Sequence, residues 1–258
     1  MDTTTDVIPV VPRHCGGWPF VDPGLDRQRL LTTVACLRLT RRDGPLTARP
    51  APAHLAEVLN PGEALRIRAL DHPRSLPGGP LAPEQQQQVD EAMESIIRAE
   101  PGWAPLLSAL PVRYVSMPAE RRGISASSFA WPQHVLLSGR AFATMPVLAE
   151  QVLHEHFHQW LYLCEELAAL HHDGCTDRFT LPSGTGNRSP GEVLGATHVA
   201  TGLQRLWQHL DVPPSVRTRR LDDLAGYLSG CRALLDEIRP CLTADGHALA
   251  ERLLEASA

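Results

Sequence analysis

The sequence predicts a mostly helical α+β protein, and three observations predict it. Apolar residues recur at helical spacing over 25–42, 84–100 and 146–170. Short β-prone runs crowd into 113–138. A helix-start signature, Ser189-Pro190-Gly191-Glu192, opens another periodic stretch.

The first element, LDRQRLLTTVACLRLTRR at 25–42, ends in arginines that suit a helix C-terminus. From Gly44 to Pro83 eight prolines interrupt the chain, so a long irregular connection is expected, with one short strand at Leu65 to Leu70. Glu84 to Glu100 returns to helix, with Gln85 to Gln88 as a solvated face. Strands are expected at 113–117, 125–131 and 134–138, separated by turns at Gly123 and Pro132 and forming a small antiparallel sheet. A long helix follows from Pro146 to Leu170, apolar on more than one side and therefore buried. Residues 1–102 read as an N-terminal helical and irregular region, a candidate substrate-binding part, and 103–258 as the catalytic region.

Composition narrows the chemistry. The 258 residues carry 24 arginines, 12 histidines, a net charge of -5 and no lysine. Without a primary amine on a side chain there is no P-loop lysine, no pyridoxal-phosphate Schiff base, no kinase-type lysine and no Ser-x-x-Lys acylation site. No dense basic stripe marks a nucleic-acid partner. No apolar run is long enough to span a bilayer. Met1 to Val11 lacks a basic leader before an apolar core, and the six cysteines form no C-x-x-C pair. A cytoplasmic protein with reduced thiols is the expectation; its oligomeric state is not legible.

Within the long helix, His154-Glu155-His156-Phe157-His158 satisfies H-E-x-x-H. Four residues bring His154 and His158 onto one face, about 6 Å apart along the axis, close enough to share a metal ion. His156, about 200° around from His154, faces away and reads as structural. Glu155 is the candidate catalytic carboxylate: the general base of a zinc peptidase, or a partner near the metal of an iron oxygenase. An ion pair with an arginine is its plainer explanation.

The third ligand lies elsewhere. Leu161 and Cys164 occupy the positions where a metzincin needs Gly and His. His171 on an unbroken helix would stand about 20 Å from His158, so it reads as a helix-end residue with His172. His198, inside the helix that starts at Ser189, is favoured; Glu192 is the alternative, although the capping box already accounts for it. Arg188, at the entrance of that helix, suits bidentate binding of a carboxylate, or is a plain loop arginine.

These residues resemble the HExxH-motif peptide-modification proteins, a family of 2-oxoglutarate-dependent peptide β-hydroxylases. The resemblance lies in Ala130-Trp131 and the strand after it, in LAEQVLHEHFH at 148–158, in Arg188-x-Pro190, in LGATH at 194–198, and in TADGHALAER at 243–252. It covers residues 103–258. The sequence departs from the family pattern at 179–187 and in the GlyAlaThrHis stretch. The resemblance implies a zincin-like arrangement, with a sheet packed on the long HExxH helix and further C-terminal helices. It also implies Fe(II) at His154, His158 and His198, 2-oxoglutarate at Arg188, O2 as co-reactant, and a peptide substrate in natural product biosynthesis. A zinc metallopeptidase and a noncatalytic peptide-binding scaffold are the competing expectations.

Overall fold

A computed structural model describes residues 8–256. The expectation about a leader falls largely on residues 1–7, which lie outside the described residues. The architecture is mostly helical α+β, as expected: among the described residues, ten α-helices accompany one small sheet.

The N-terminal part holds α1 (Val10–Cys15), α2 (Arg27–Asp43), α3 (Pro52–Val58) and α4 (Pro61–Arg68). The helices α3 and α4 occupy the middle of the expected irregular stretch, which stays irregular over 44–51 and most of 69–82, and the strand expected at Leu65 to Leu70 is helical through Arg68 instead. Pro52 and Pro61 each occupy the first helical position, where the missing N–H costs nothing and the fixed φ favours helix. Asn60 caps α4 by accepting from the Gly62 amide at 3.0 Å. These prolines start helices rather than break them.

The sheet comprises β1 (Gly79–Pro80), β2 (Arg113–Ser116), β3 (Ser125–Ala126) and β4 (His134–Leu137), in the order β1-β2-β4-β3. It is mixed, which corrects the antiparallel expectation: β2 runs parallel to β4, while β1 and β3 are antiparallel to their neighbours. After β2 the chain crosses to the far side as β3 and returns between them as β4. All four residues of β4 are buried, as a central strand covered on both faces requires.

The remaining helices are α5 (Pro83–Ala99), α6 (Ala104–Ala109), α7 (Met145–Leu167), α8 (Pro190–His209), α9 (Pro214–Ile238) and α10 (Ala244–Ala256). Thr144 caps α7, whose sides bury Leu148, Val152, Leu153, Phe157, Trp160 and Cys164. The helix ends at Leu167, not Leu170, because Ala168 is already extended. One hydrophobic core runs from Val11 on α1 and Leu30 on α2 through α7 to Leu253 on α10, so residue 102 marks no break in packing. None of the described helices is long and apolar enough to cross a membrane.

A buried polar network sits where the N-terminal helices meet α7. Arg38 on α2 grips Glu166 on α7 with two hydrogen bonds, at 2.7 and 3.2 Å, and donates to Gln133 at 2.6 Å. Arg68 on α4 approaches the same Glu166 at 3.3 Å. The Gln133 amide group donates to the Leu59 and Pro111 carbonyls, and its backbone N–H donates to Gln159 on α7. Every polar contact here spans elements far apart in sequence.

Between α7 and α8 the chain turns back on itself. Phe179 and Arg188 exchange backbone hydrogen bonds at 2.9 Å, closing a hairpin. Cys175 is disulfide-bonded to Cys241, which corrects the expectation of six reduced thiols. The fold-back brings residues 66 apart in sequence to a Cα separation of 5.7 Å, a pairing that no local spacing announces. Cys15, Cys36, Cys164 and Cys231 are free, and three of them are buried.

Candidate metal centre

The helices α7 and α8 pack face to face, and glycine decides how closely. A Cβ at Gly195 would stand 3.4 Å from the His158 ring, and one at Gly191 would stand 2.9 Å from the His171 ring. The bare backbone at these two positions, one turn apart on α8, makes room for both imidazoles. Gly202 accommodates Phe157 in the same way, since a Cβ there would overlap the ring at 1.9 Å.

Above this contact lies a cavity of about 880 Å³, walled by α7, α8, α9, β3 and the 179–188 hairpin. His154, Glu155 and His158 line it. Their helix places the two imidazoles together, with the Nε2 atoms 3.2 Å apart. Two nitrogens at that separation fit one metal ion at ligand distances of 2.0–2.1 Å, with an angle of about 100° between them. Burial, reinforced by the nearby His154, His198 and Arg188, holds His158 well below the usual imidazole range. His158 is thus neutral, the form that binds metal.

Glu155 is 2% exposed. Its Oε1 accepts a 2.6 Å hydrogen bond from the Ser125 hydroxyl on β3 and stands 4.0 Å from His154 Nε2. Its Oε2 is buried without a hydrogen-bond partner. A buried orphan acceptor on a cavity wall is a costly feature that a bound donor would relieve. His156 points to the other side of α7, where its Nε2 lies 2.7 Å from the Tyr114 hydroxyl. Burial lowers its pKa to about 4.

No protein-family model matches the chain, and no curated protein matches it.

His198 does not join the pair. Its position on α8 is about 120° around from Glu192, which lines the cavity. The ring is instead fully buried against Phe157, with centroids 4.7 Å apart, and its Nε2 donates to the Pro19 carbonyl at 2.8 Å. Gly191, Gly195, His198 and Gly202 follow one stripe of α8 that meets α7; Gly191 and Gly195 also border the cavity, while His198 is buried against Phe157. His198 is a core residue in this arrangement, which corrects its expected place beside the metal. Among the described residues, no third imidazole, thiolate or carboxylate donor clusters within 4.8 Å of both His154 and His158.

Glu192 and Arg188 both line the cavity, paired with each other. Glu192 also accepts from the Ser189 amide at 2.8 Å, completing the expected capping box. Burial raises its pKa, but the Ser189 and Arg188 hydrogen bonds outweigh this and hold it below the usual carboxylate value. The Nε of Arg188 is buried and has no acceptor, so the guanidinium keeps one unanswered donor.

Sequence reasoning passed over several cavity residues. His171 lines the same wall, because α7 stops at Leu167 and the chain folds back; the distance of about 20 Å assumed an unbroken helix. Ser125 holds Glu155, and Tyr162 stacks beside His158 with centroids 6.0 Å apart. Tyr162 and Glu165 extend the His154–His158 stripe along α7, so continuing the helical period would have found them.

Proposed function

We propose that the protein is an Fe(II)- and 2-oxoglutarate-dependent oxygenase that hydroxylates a Cβ position of a peptide, in the making of a ribosomally produced modified peptide. The observation that carries this reading is the His154–His158 pair, two imidazole nitrogens 3.2 Å apart on the wall of a cavity large enough for a peptide segment. When bound, the iron would supply oxidative decarboxylation of the oxoacid to succinate and CO2, coupled to insertion of one oxygen atom of O2 into a C–H bond.

The chain's own residues bind, orient and exclude water. His154 and His158 hold the metal. Arg188 meets the oxoacid's free carboxylate with its unanswered Nε–H, a charge-assisted contact that lysine, absent here, cannot provide. Glu155, fixed by Ser125, offers Oε2 as an acceptor to a donor entering the cavity. Leu161 and Leu203 give the wall an apolar lining.

The same orphan oxygen of Glu155 favours a second reading, a zinc metallopeptidase with Glu155 as general base and Glu192 as a further ligand once released from Arg188. One experiment separates the two. Protein reconstituted anaerobically with Fe(II) and 2-oxoglutarate should release succinate on exposure to O2 and peptide, and His154→Ala and His158→Ala should bind no iron. Peptide cleavage by the zinc-loaded protein, with no succinate from the iron-loaded one, would overturn the oxygenase.

A further inference from the structure

The cavity stripe on α7 does not stop at the histidines. His154, His158, Tyr162 and Glu165 all line the cavity. Glu165 follows His158 by seven residues, which puts it about 10 Å farther along the helix and only about 20° around it. Its carboxyl therefore looks onto the same trough as the metal pair, at the other end.

Among the described residues, none hydrogen-bonds or ion-pairs with Glu165. The nearby guanidiniums make their ion pairs with other carboxylates, although Arg188 and Arg68 each keep a buried Nε–H without an acceptor. Arg188 pairs with Glu192, and Arg220 grips Glu150 with bonds of 2.6 and 2.8 Å. Arg68 contacts Glu166 and lies over the Phe129 ring, 3.9 Å from its centroid. Lysine is absent from the sequence. Burial raises the Glu165 pKa to about 7; Arg68 acts against the shift and Glu192 adds to it. The cavity as a whole is acidic, with Glu150, Glu155, Glu165, Glu192 and Asp223 facing Arg188 and Arg220.

We propose that Glu165 forms a subsite for a cationic side chain of the substrate, an alkylammonium or guanidinium group set beside the residue that reacts. An extended peptide advances about 3.3 Å per residue. A span of about 10 Å is therefore covered by one or two residues of backbone plus the stem of a lysine or arginine. Leu161 and Tyr162 line the path between and cover that stem, while Glu165 meets the charged tip. This subsite deepens the reading of the cavity as a peptide site and does not depend on which metal the histidines hold.

The test is a binding measurement on the full chain without metal or oxoacid. Isothermal titration compares acetyl-Ala-Arg-Ala-amide with its citrulline counterpart, which keeps the shape and removes the charge. At about pH 8, where the carboxyl is mostly ionised, the arginine peptide should bind about tenfold more tightly, the scale of one partly desolvated charge-assisted hydrogen bond. Glu165→Gln should bring the ratio close to one. Asp223→Asn, which removes the same charge elsewhere on the wall, should leave it intact.

Equal affinities in the unaltered protein, an unchanged ratio in Glu165→Gln, an equal loss in Asp223→Asn, or no binding of either peptide at millimolar concentration would each overturn the subsite. If Glu165→Gln does not fold, Glu165→Asp withdraws the carboxylate by one methylene and should shrink the ratio; an unchanged ratio there is equally fatal. Since the assay contains no iron, oxoacid or turnover, its failure is distinct from a failed succinate assay.

Discussion

Replacing His198 with leucine tests whether this imidazole serves the core or the metal, because the two roles move different observables. In the folded protein burial lowers His198 to about 4, with the Pro19 carbonyl and Asp22 acting against the shift; unfolded, it titrates near 6.5. The unfolded chain therefore binds more protons between these values, and the histidine's contribution to stability is complete above about pH 6.5 and lost as pH falls toward 4. By pH 5 the loss amounts to about 2 kcal/mol. Leucine cannot titrate, but it leaves the buried Pro19 carbonyl without its donor, at a cost of about 1–3 kcal/mol. His198→Leu should thus be less stable than the parent at pH 7 by about that amount, and the gap should nearly close at pH 5. Urea unfolding at both pH values measures it, and His156 cancels because it titrates in both proteins. A gap that stays constant between the two pH values, or a folded variant that no longer binds metal, would refute the core assignment.

Two further outcomes probe the frame around the site. Gly202→Ala drives a Cβ to within 1.9 Å of Phe157 and should lower stability by about 1–3 kcal/mol, read as a fall in the urea midpoint. Cys175→Ser removes a cross-link spanning 66 residues, worth about 4 kcal/mol from chain entropy; its melting temperature should match that of the parent in reductant, and a parent indifferent to reductant would contradict the bond.

What the sequence discloses here is local. The His154–His158 pair and the Ser189–Glu192 box follow from three- and four-residue spacings, and both stand in the structure as read. His198 does lie on the α8 stripe that meets α7, between Gly195 and Gly202, but its ring packs on Phe157 and does not join His154 and His158, a placement set by tertiary packing that local spacing does not encode. The parallel pairing of β2 with β4 depends on β3 lying outside them, which no periodicity encodes, although the continuous burial of His134 to Leu137 accords with it. The end of α7 carries no glycine or proline, so its stop at Leu167, and with it the return of His171 to the cavity, was invisible.

The Arg38–Glu166–Gln133 network ties the HExxH helix to the N-terminal helices. A fragment beginning at residue 103 would keep Glu166 and Gln133 but lose Arg38, Arg68 and the Leu59 carbonyl that satisfy them. Stripping a buried carboxylate of its partner costs about 3–5 kcal/mol, a large share of what holds a protein folded. The HExxH helix is therefore fitted to its N-terminal partners: α2 and α4 supply both the cations that answer Glu166 and the cover that keeps it from water.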